Sequence, residues 1–325
     1  MSPLADVLRP DPAALAAAFV VDLAIGDPVY RAHPIRLIGA SLGWLERQLR
    51  ALGFDGYGGG IALFLLLAMF WMPVLVGLMV LAHRVSPVAG WIVHAAVLYS
   101  MLALGDLLHH VWRIEAAVRS ADIDRARHAV RALVGRDTDR MDDGACRRAA
   151  VESLSENLTD GFVSPVFWYA LLGLPGIVLF KIVSTMDSMV GYKTPQYLRF
   201  GWCGARLDDL MNVLPARLTW LLIAAIAFVL PGFSGRKAWR VGLRQHAVLL
   251  GPNSGWSEAA TAGAIQRRLV GPIWLRGAMV TDLWIGDPAD PQLSAAADVG
   301  RAMLLTVVVG TAVASLAMAI AWTRQ

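Results

Sequence analysis

Long apolar blocks alternate with arginine-rich stretches along this 325-residue chain. A helix that crosses lipid needs about 20 largely apolar residues. Ile61–Ala82 is uncharged throughout and is the clearest such span. Val88–Gly105 follows after the short link His83–Pro87, so the two predict a membrane hairpin. Ala302–Thr323, bracketed by Arg301 and Arg324, predicts another span. Ala13–Gly26 is shorter and carries Asp22, and Leu218–Gly235 is a further candidate. Phe162–Phe180 has no charge but is interrupted by Leu172-Gly173-Leu174-Pro175-Gly176. Proline removes a helix hydrogen bond and clashes with the preceding turn. Broken backbone survives at membrane depth only where protein or trapped water satisfies it. This block is therefore expected as two half-helices, as in a re-entrant hairpin.

The pattern predicts an all-α polytopic integral membrane protein: a bundle of transmembrane helices with at least one broken or re-entrant helical hairpin and with helical loops on the cytoplasmic face. It reads as one membrane-embedded domain over residues 1–325, with a helical insert at 113–161. That insert holds nine arginines. Arg31, Arg36, Arg47 and Arg50 mark 27–60, and further basic residues mark 184–217 and 236–301. Lysine and arginine gather on the cytoplasmic side. Single crossings at both 162–180 and 218–235 would put adjacent Arg-rich regions on opposite faces, so at least one block should dip in and return.

Composition supports this reading. The chain is 57% hydrophobic and 17% charged, with a mean hydropathy of +0.54; ordinary soluble domains carry about 25% charge. The net charge of +4 fits cytoplasmic arginines. No aromatic-interleaved basic patch argues for nucleic acid. Arg9 ahead of Ala13–Val21 looks like a secretory leader, but no cleavage pattern follows, and the run leads into Asp22 and Gly26-Asp27-Pro28. It is read as a retained membrane segment. Cys146 and Cys203 lack metal-ligand spacing and are read as reduced and structural.

The candidate chemistry centres on Glu152-Ser153-Leu154-Ser155-Glu156-Asn157-Leu158-Thr159-Asp160-Gly161. As a helix ending at Gly161, this stretch stacks Glu152, Glu156 and Asp160 on one face. Like charges at that spacing repel, so a divalent cation, a cationic ligand or arginines should offset them; a merely solvated face is the plainer alternative. Other polar clusters edge the apolar blocks. They are His33-Pro34-Ile35-Arg36, Gly135-Arg136-Asp137-Thr138-Asp139, Ser184 to Lys193 with Asp187, Arg206-Leu207-Asp208-Asp209 with Asn212, and Gly251-Pro252-Asn253-Ser254-Gly255-Trp256-Ser257-Glu258. Mg²⁺ takes oxygen ligands and shares them with substrate phosphates, and arginine grips phosphate through a planar fork. The inventory fits phosphate-dependent, metal-assisted chemistry. It fits serine or cysteine hydrolysis poorly, since Gly-x-Ser-x-Gly is absent, and no Walker phosphate loop occurs. Asp106, His109 and His110 read as a polar helix end rather than a metal site, and His94 as a hydrogen-bonded packing residue. Asp22-Leu23-Ala24-Ile25-Gly26-Asp27-Pro28 is echoed by Asp282-Leu283-Trp284-Ile285-Gly286-Asp287-Pro288, which suggests a shared turn.

These segments, in this order, resemble the CobD/CbiB family of cobalamin-biosynthesis proteins, the adenosylcobinamide-phosphate synthases. The match joins Gly26-Asp27-Pro28 and His33–Gly39 to Val134–Thr138, Glu152–Asn157 with Asp160-Gly161, Thr185–Tyr192, Ala205–Asp209 with Pro215-Ala216-Arg217, and Pro252–Ala260. The resemblance implies a multi-pass enzyme of the bacterial inner membrane with its active-site loops toward the cytoplasm. Using ATP and Mg²⁺, it would join the free propionate of adenosylcobyric acid to (R)-1-aminopropan-2-yl phosphate or to the free aminopropanol. The product would be adenosylcobinamide phosphate, and other late corrinoid-pathway enzymes would be its partners. Within that reading Glu152, Glu156, Asp187, Asp208 and Asp209 are the catalytic candidates, and Glu152, Glu156, Asp160 and Asp187 the metal candidates. His33, Arg36, Arg136, Lys193 and Arg206 would meet substrate or phosphate, and Asn157, Asn253 and Glu258 would orient substrate. Ser254 and Ser257 stand where the family pattern has alanine and proline, and a tyrosine-glycine pair is missing after Leu269-Val270-Gly271-Pro272; loop shape and substrate fit are what these changes touch. A corrinoid-binding or transport protein without ligase activity is the alternative, because broken helices with ionisable neighbours also occur in transporters.

Overall fold

The computed structural model describes residues 3–28, 30, 32–249 and 251–324. Arg31, counted above among the arginines of 27–60, lies outside them. In chain order the elements are α1 (Pro3–Leu8), α2 (Pro12–Ile25), α3 (Pro34–Ala51), α4 (Tyr57–Val85), α5 (Pro87–Tyr99), α6 (Leu104–Arg119), α7 (Ile123–Arg131) and α8 (Asp143–Asn157). A π-helical turn, Leu158–Val163, follows. Then come α9 (Ser164–Leu172), α10 (Leu174–Val190), α11 (Trp202–Val229), α12 (Gly235–Gln245), α13 (Ser254–Ile265), β1 (Leu269–Leu275), β2 (Ala278–Ile285) and α14 (Ala296–Trp322). The protein is an all-α polytopic membrane protein with one small β-hairpin. Among the described residues four helical segments are long and apolar enough to cross a membrane: Tyr57–Val85, Pro87–Arg119, Trp202–Val229 and Ala296–Trp322.

The chain divides into two compact units. The first holds residues 1–103, 164–212 and 313–325. Here α4 and α5 form the expected hairpin, hinged at Ser86, whose hydroxyl caps α5 by accepting from Ala89 N at 3.0 Å. The broken block is α9 and α10, parted at Gly173 (φ +69°). Pro175 lies in the first turn of α10, where its missing N–H is an orphan donor anyway. The end of α10 and the start of α11 lie very close. A side chain on Gly201 would collide with the Val190 carbonyl, and one on Gly204 would come 2.9 Å from Met186 Cβ. His94 is buried and shares a 2.8 Å hydrogen bond with the Tyr169 hydroxyl, the packing role expected of it.

The second unit holds residues 104–163 and 213–312. Arg147 of α8 grips Glu115 of α6 in a bidentate pair at 2.7 and 2.9 Å. Helix α13 is built almost wholly of small residues, and every residue from Gly255 to Ile265 is buried. Gly255 and Gly263 let its backbone press on α12, because a side chain at either would strike the His246 or Lys237 carbonyl. Within α6, His110 Nδ1 lies 3.3 Å from Asp106 Oδ2, so these two polar groups answer each other on one helix. Cys146 and Cys203 are free and buried.

Three sequence expectations are corrected. The acidic stretch does not end its helix at Gly161: α8 passes through the π-turn, and the chain continues as α9. Asp160 thus sits where the hydrogen-bond register widens from i+4 to i+5, out of strict stack with Glu152 and Glu156. Residues 269–285 are not helical loop but an antiparallel hairpin, with Leu269 opposite Ile285. Helix α11 starts well before Leu218 and takes in the Arg206–Asn212 motif, running through Pro215.

Candidate functional site

Two residues of α8, one turn apart, hold the hairpin from both sides. Glu152 Oε1 accepts from Val270 N at 2.9 Å, and Arg148 Nε donates to Val270 O at 3.3 Å. Val270 has φ +70°, a conformation a β-branched residue adopts only when its surroundings impose it. The other Glu152 oxygen accepts from Arg136 Nη2 at 2.6 Å. Both side chains of this ion pair are largely buried, at 12% and 11% exposure. Glu152, first choice for metal ligand or base, is therefore committed to the architecture: it ties the Arg136 loop to the strained start of β1.

This clamp walls a cavity of about 500 Å³ within the second unit. Its polar lining includes Arg136, Glu152, Glu156, Ser254 and Glu258, and its apolar side includes Ile273 and Leu283 of the hairpin. Glu156 opens into the cavity and is solvent-accessible, yet protein mass around it raises its pKa, and the Glu152 charge raises it further. Glu258 is 5% exposed. Burial drives its pKa well above the ordinary carboxylate range, and Glu156, Glu152 and Asp160 add to the shift while Arg136 opposes it. Three glutamates and one arginine thus meet around a single space, two of the glutamates leaning toward the neutral form. Such perturbed acids in a cleft mark functional sites.

The remaining residues nominated in this unit hold local structure. Asn157 turns its amide back onto Ser153 O at 2.9 Å. Asn253 precedes α13 and accepts from Arg217 Nη1 at 2.9 Å, while Arg217 also lies over the Trp256 ring, 5.0 Å from its centroid. Among the described residues no three His, Cys, Asp or Glu side chains are grouped as a metal cage. The donor chemistry of Glu156 and Glu258 suits an ion that arrives with substrate phosphates and needs only one or two carboxylates, as Mg²⁺ does.

In the first unit the nominated acids also gather. Asp187, at the end of α10, and Asp208 and Asp209, at the start of α11, lie within electrostatic reach of each other. Lys181 is the nearby cation. Asn212 Nδ2 donates to Asp208 Oδ2 at 2.9 Å and its Oδ1 accepts from the Ser164 hydroxyl at 2.5 Å, so Asp208 stands at the end of a buried polar chain. Arg206 pairs outward with Asp209 at 3.1 Å. Lys193 is exposed and makes no ion pair among the described residues. His33 and Arg36 line another cavity of this unit with Asp27 and Lys181. Lys181 went unnoticed in the sequence, although an ionisable residue at the border of a membrane block is a signal in itself.

The family model described as CobD/Cbib protein matches residues 15–306. A Sinorhizobium protein named cobalamin biosynthesis protein CobD is 40% identical over 287 residues, covering 84% of this chain and 87% of its own. A Salmonella typhimurium protein named cobalamin biosynthesis protein CbiB is 38% identical over 309 residues, covering 93% and 95%. A Klebsiella pneumoniae CobD of the same description is 37% identical over 274 residues. No solved structure matches the chain. With the family match spanning residues 15–306, a range that contains the Arg136–Glu152 clamp, Glu156 and Glu258, the chain belongs to the CobD/CbiB family, whose relatives bear the name of cobalamin biosynthesis proteins.

Proposed function

We propose that this protein acts in cobalamin biosynthesis as an ATP-dependent amide ligase of the bacterial inner membrane. It joins the free propionate of adenosylcobyric acid to (R)-1-aminopropan-2-yl phosphate or to the free alcohol. The observation that carries the reading is the cavity in which Glu156 and Glu258 face each other's charge beside Arg136, in a chain of this family. A carboxylate resists amine attack until one oxygen becomes a leaving group, and phosphoryl transfer from ATP supplies that. Arg136, anchored through Glu152, neutralises phosphoryl charge. Glu258, together with the substrate phosphates, would hold Mg²⁺, and the ion would supply further charge neutralisation there. A glutamate with a raised pKa also suits uptake of the proton that the attacking amine releases; Glu156, open to the cavity, has the access for it.

The test is ligation by detergent-purified protein with adenosylcobyric acid, the amine, Mg²⁺ and ATP, followed by mass spectrometry of the corrinoid. The expected result is a mass gain of one amide that vanishes without ATP. Glu156→Gln should lower ligation by about a hundredfold or more with expression retained; wild-type activity in that variant removes Glu156 from the chemistry. Corrinoid binding without product from either amine would favour the transport or carrier role.

A further inference from the structure

The β-hairpin that walls the second-unit cavity is held differently at its two ends. Its base is pinned on both strands. Glu152 and Arg148 hold Val270. On the other strand the Gln245 side-chain amide engages both Gly286 backbone groups, accepting from its N–H at 2.8 Å and donating to its carbonyl at 3.0 Å. Between base and tip the strand pairing shifts register at Ile273–Trp274, a bulge of the kind at which a strand bends. Beyond it Leu275, Met279 and Val280 stay exposed, so apolar burial does little to fix the tip. The tip is fixed instead by the loop that follows Arg136. Asp137 Oδ2 accepts from Gly277 N at 2.7 Å, and Asp137 N donates to Trp274 O at 2.8 Å. The Arg140 guanidinium lies over the Trp274 ring, 4.3 Å from its centroid. This contact closes one edge of the cavity, because Arg136 on the loop side and Ile273 and Val280 on the hairpin side all line it.

We propose that the hairpin tip, Trp274 to Val280, is a flap that bends at the bulge, and that Asp137 is the latch that holds it shut along the Arg136 edge of the cavity. Asp137 touches no reacting atom in this scheme; it is a positioning residue that acts through the flap. The consequence of the latch rests on the ligation reading. If water meets the activated carboxyl before the amine does, it displaces phosphate and returns the free acid, so ATP is consumed and no amide forms. Glu156 faces solvent in this structure, so bound substrate must cover that opening. The Arg136 edge is the one the chain seals by itself.

The experiment is amide hydrogen exchange on the full-length protein in nanodiscs, for wild type, Asp137→Ala, Asp137→Asn and Arg140→Ala. Loss of a hydrogen bond to a charged group should speed exchange across 274–280 by about tenfold or more in Asp137→Ala, while 269–271 and 282–286 keep wild-type rates. Asp137→Asn retains an acceptor oxygen and should recover part of the protection. Arg140→Ala removes only the ring contact and should speed the same segment by about threefold; it carries the test if Asp137→Ala does not accumulate. In the ligation assay the loosened flap should raise the ATP consumed per amide formed severalfold, with Asp137→Asn between Asp137→Ala and wild type. Unchanged exchange at the tip, or a rise spread evenly over base and tip, overturns the latch. A loosened tip with an unchanged ratio of ATP to amide overturns its guarding role. If wild type forms no amide at all, the ligation reading falls, and the exchange pattern still decides the latch.

Discussion

At the scale of single residues, the second-unit cavity separates two kinds of glutamate. Glu152 spends both oxygens on Arg136 and Val270. Removing one partner of a buried pair strands the other charge. Glu152→Ala should therefore cost about 3 kcal/mol of stability, with Val270 N–H and Arg136 left unsatisfied; denaturant unfolding in detergent measures it, and a cost near zero would contradict the clamp. Glu258 works the other way. Its folded-state pKa is raised, so the folded protein keeps a proton that the unfolded chain gives up. Its contribution is fully present below the ordinary carboxylate range and is lost as pH rises through the elevated folded-state pKa. Glu258→Gln removes this penalty. The Tm of the variant should gain on wild type as pH rises out of the carboxylate range; Tm curves that stay parallel across pH would show that Glu258 ionises freely in the fold.

At the scale of elements, context overrides local sequence. Asp22–Pro28 and Asp282–Pro288 are near-copies, yet the first closes helix α2 and the second ends strand β2. What they share is the turn glycine: Gly26 at φ +64° and Gly286 at φ +128°. The hairpin itself turns at Arg276 and Gly277, both at positive φ (+52° and +79°). Two such residues make the primed turn that suits strand twist, but Arg-Gly lacks the Asn-Gly or Asp-Gly signal, and nearby arginines read as cytoplasmic loop. The junction of α10 and α11 depends on bare backbone at Gly201. Gly201→Ala should push the two helices apart, shift Asp187 from Asp208, and lower both Tm and ligation; unaltered values for both would show that the junction yields without consequence.

At the scale of the whole molecule, the helices that meet the length and apolarity of a membrane span define a multi-pass protein, and the arginine distribution predicts its orientation. If 113–161 faces the cytoplasm, Arg125→Cys on exposed α7 should react with an impermeant maleimide only in opened cells or inverted vesicles. Both native cysteines are buried, so background is low. Labelling in intact cells would reverse the orientation.

The apolar blocks, the breaks within and between them and the kinds of residue at their edges were legible in the order of amino acids alone, because spanning length, proline and charge act locally along a chain. The α4–α5 hairpin and the break at Gly173 were both readable in that way. Which acids meet was not. The widened turn after Asn157 depends on hydrogen-bond register, the closure of Arg136 over Glu152 on an ion pair between a loop and a helix, and the burial of Glu258 on packing against segments far away along the chain. Desolvation and charge pairing are properties of the folded surroundings, so only the tertiary structure could divide the three cavity glutamates into one that clamps and two whose pKa the surroundings raise.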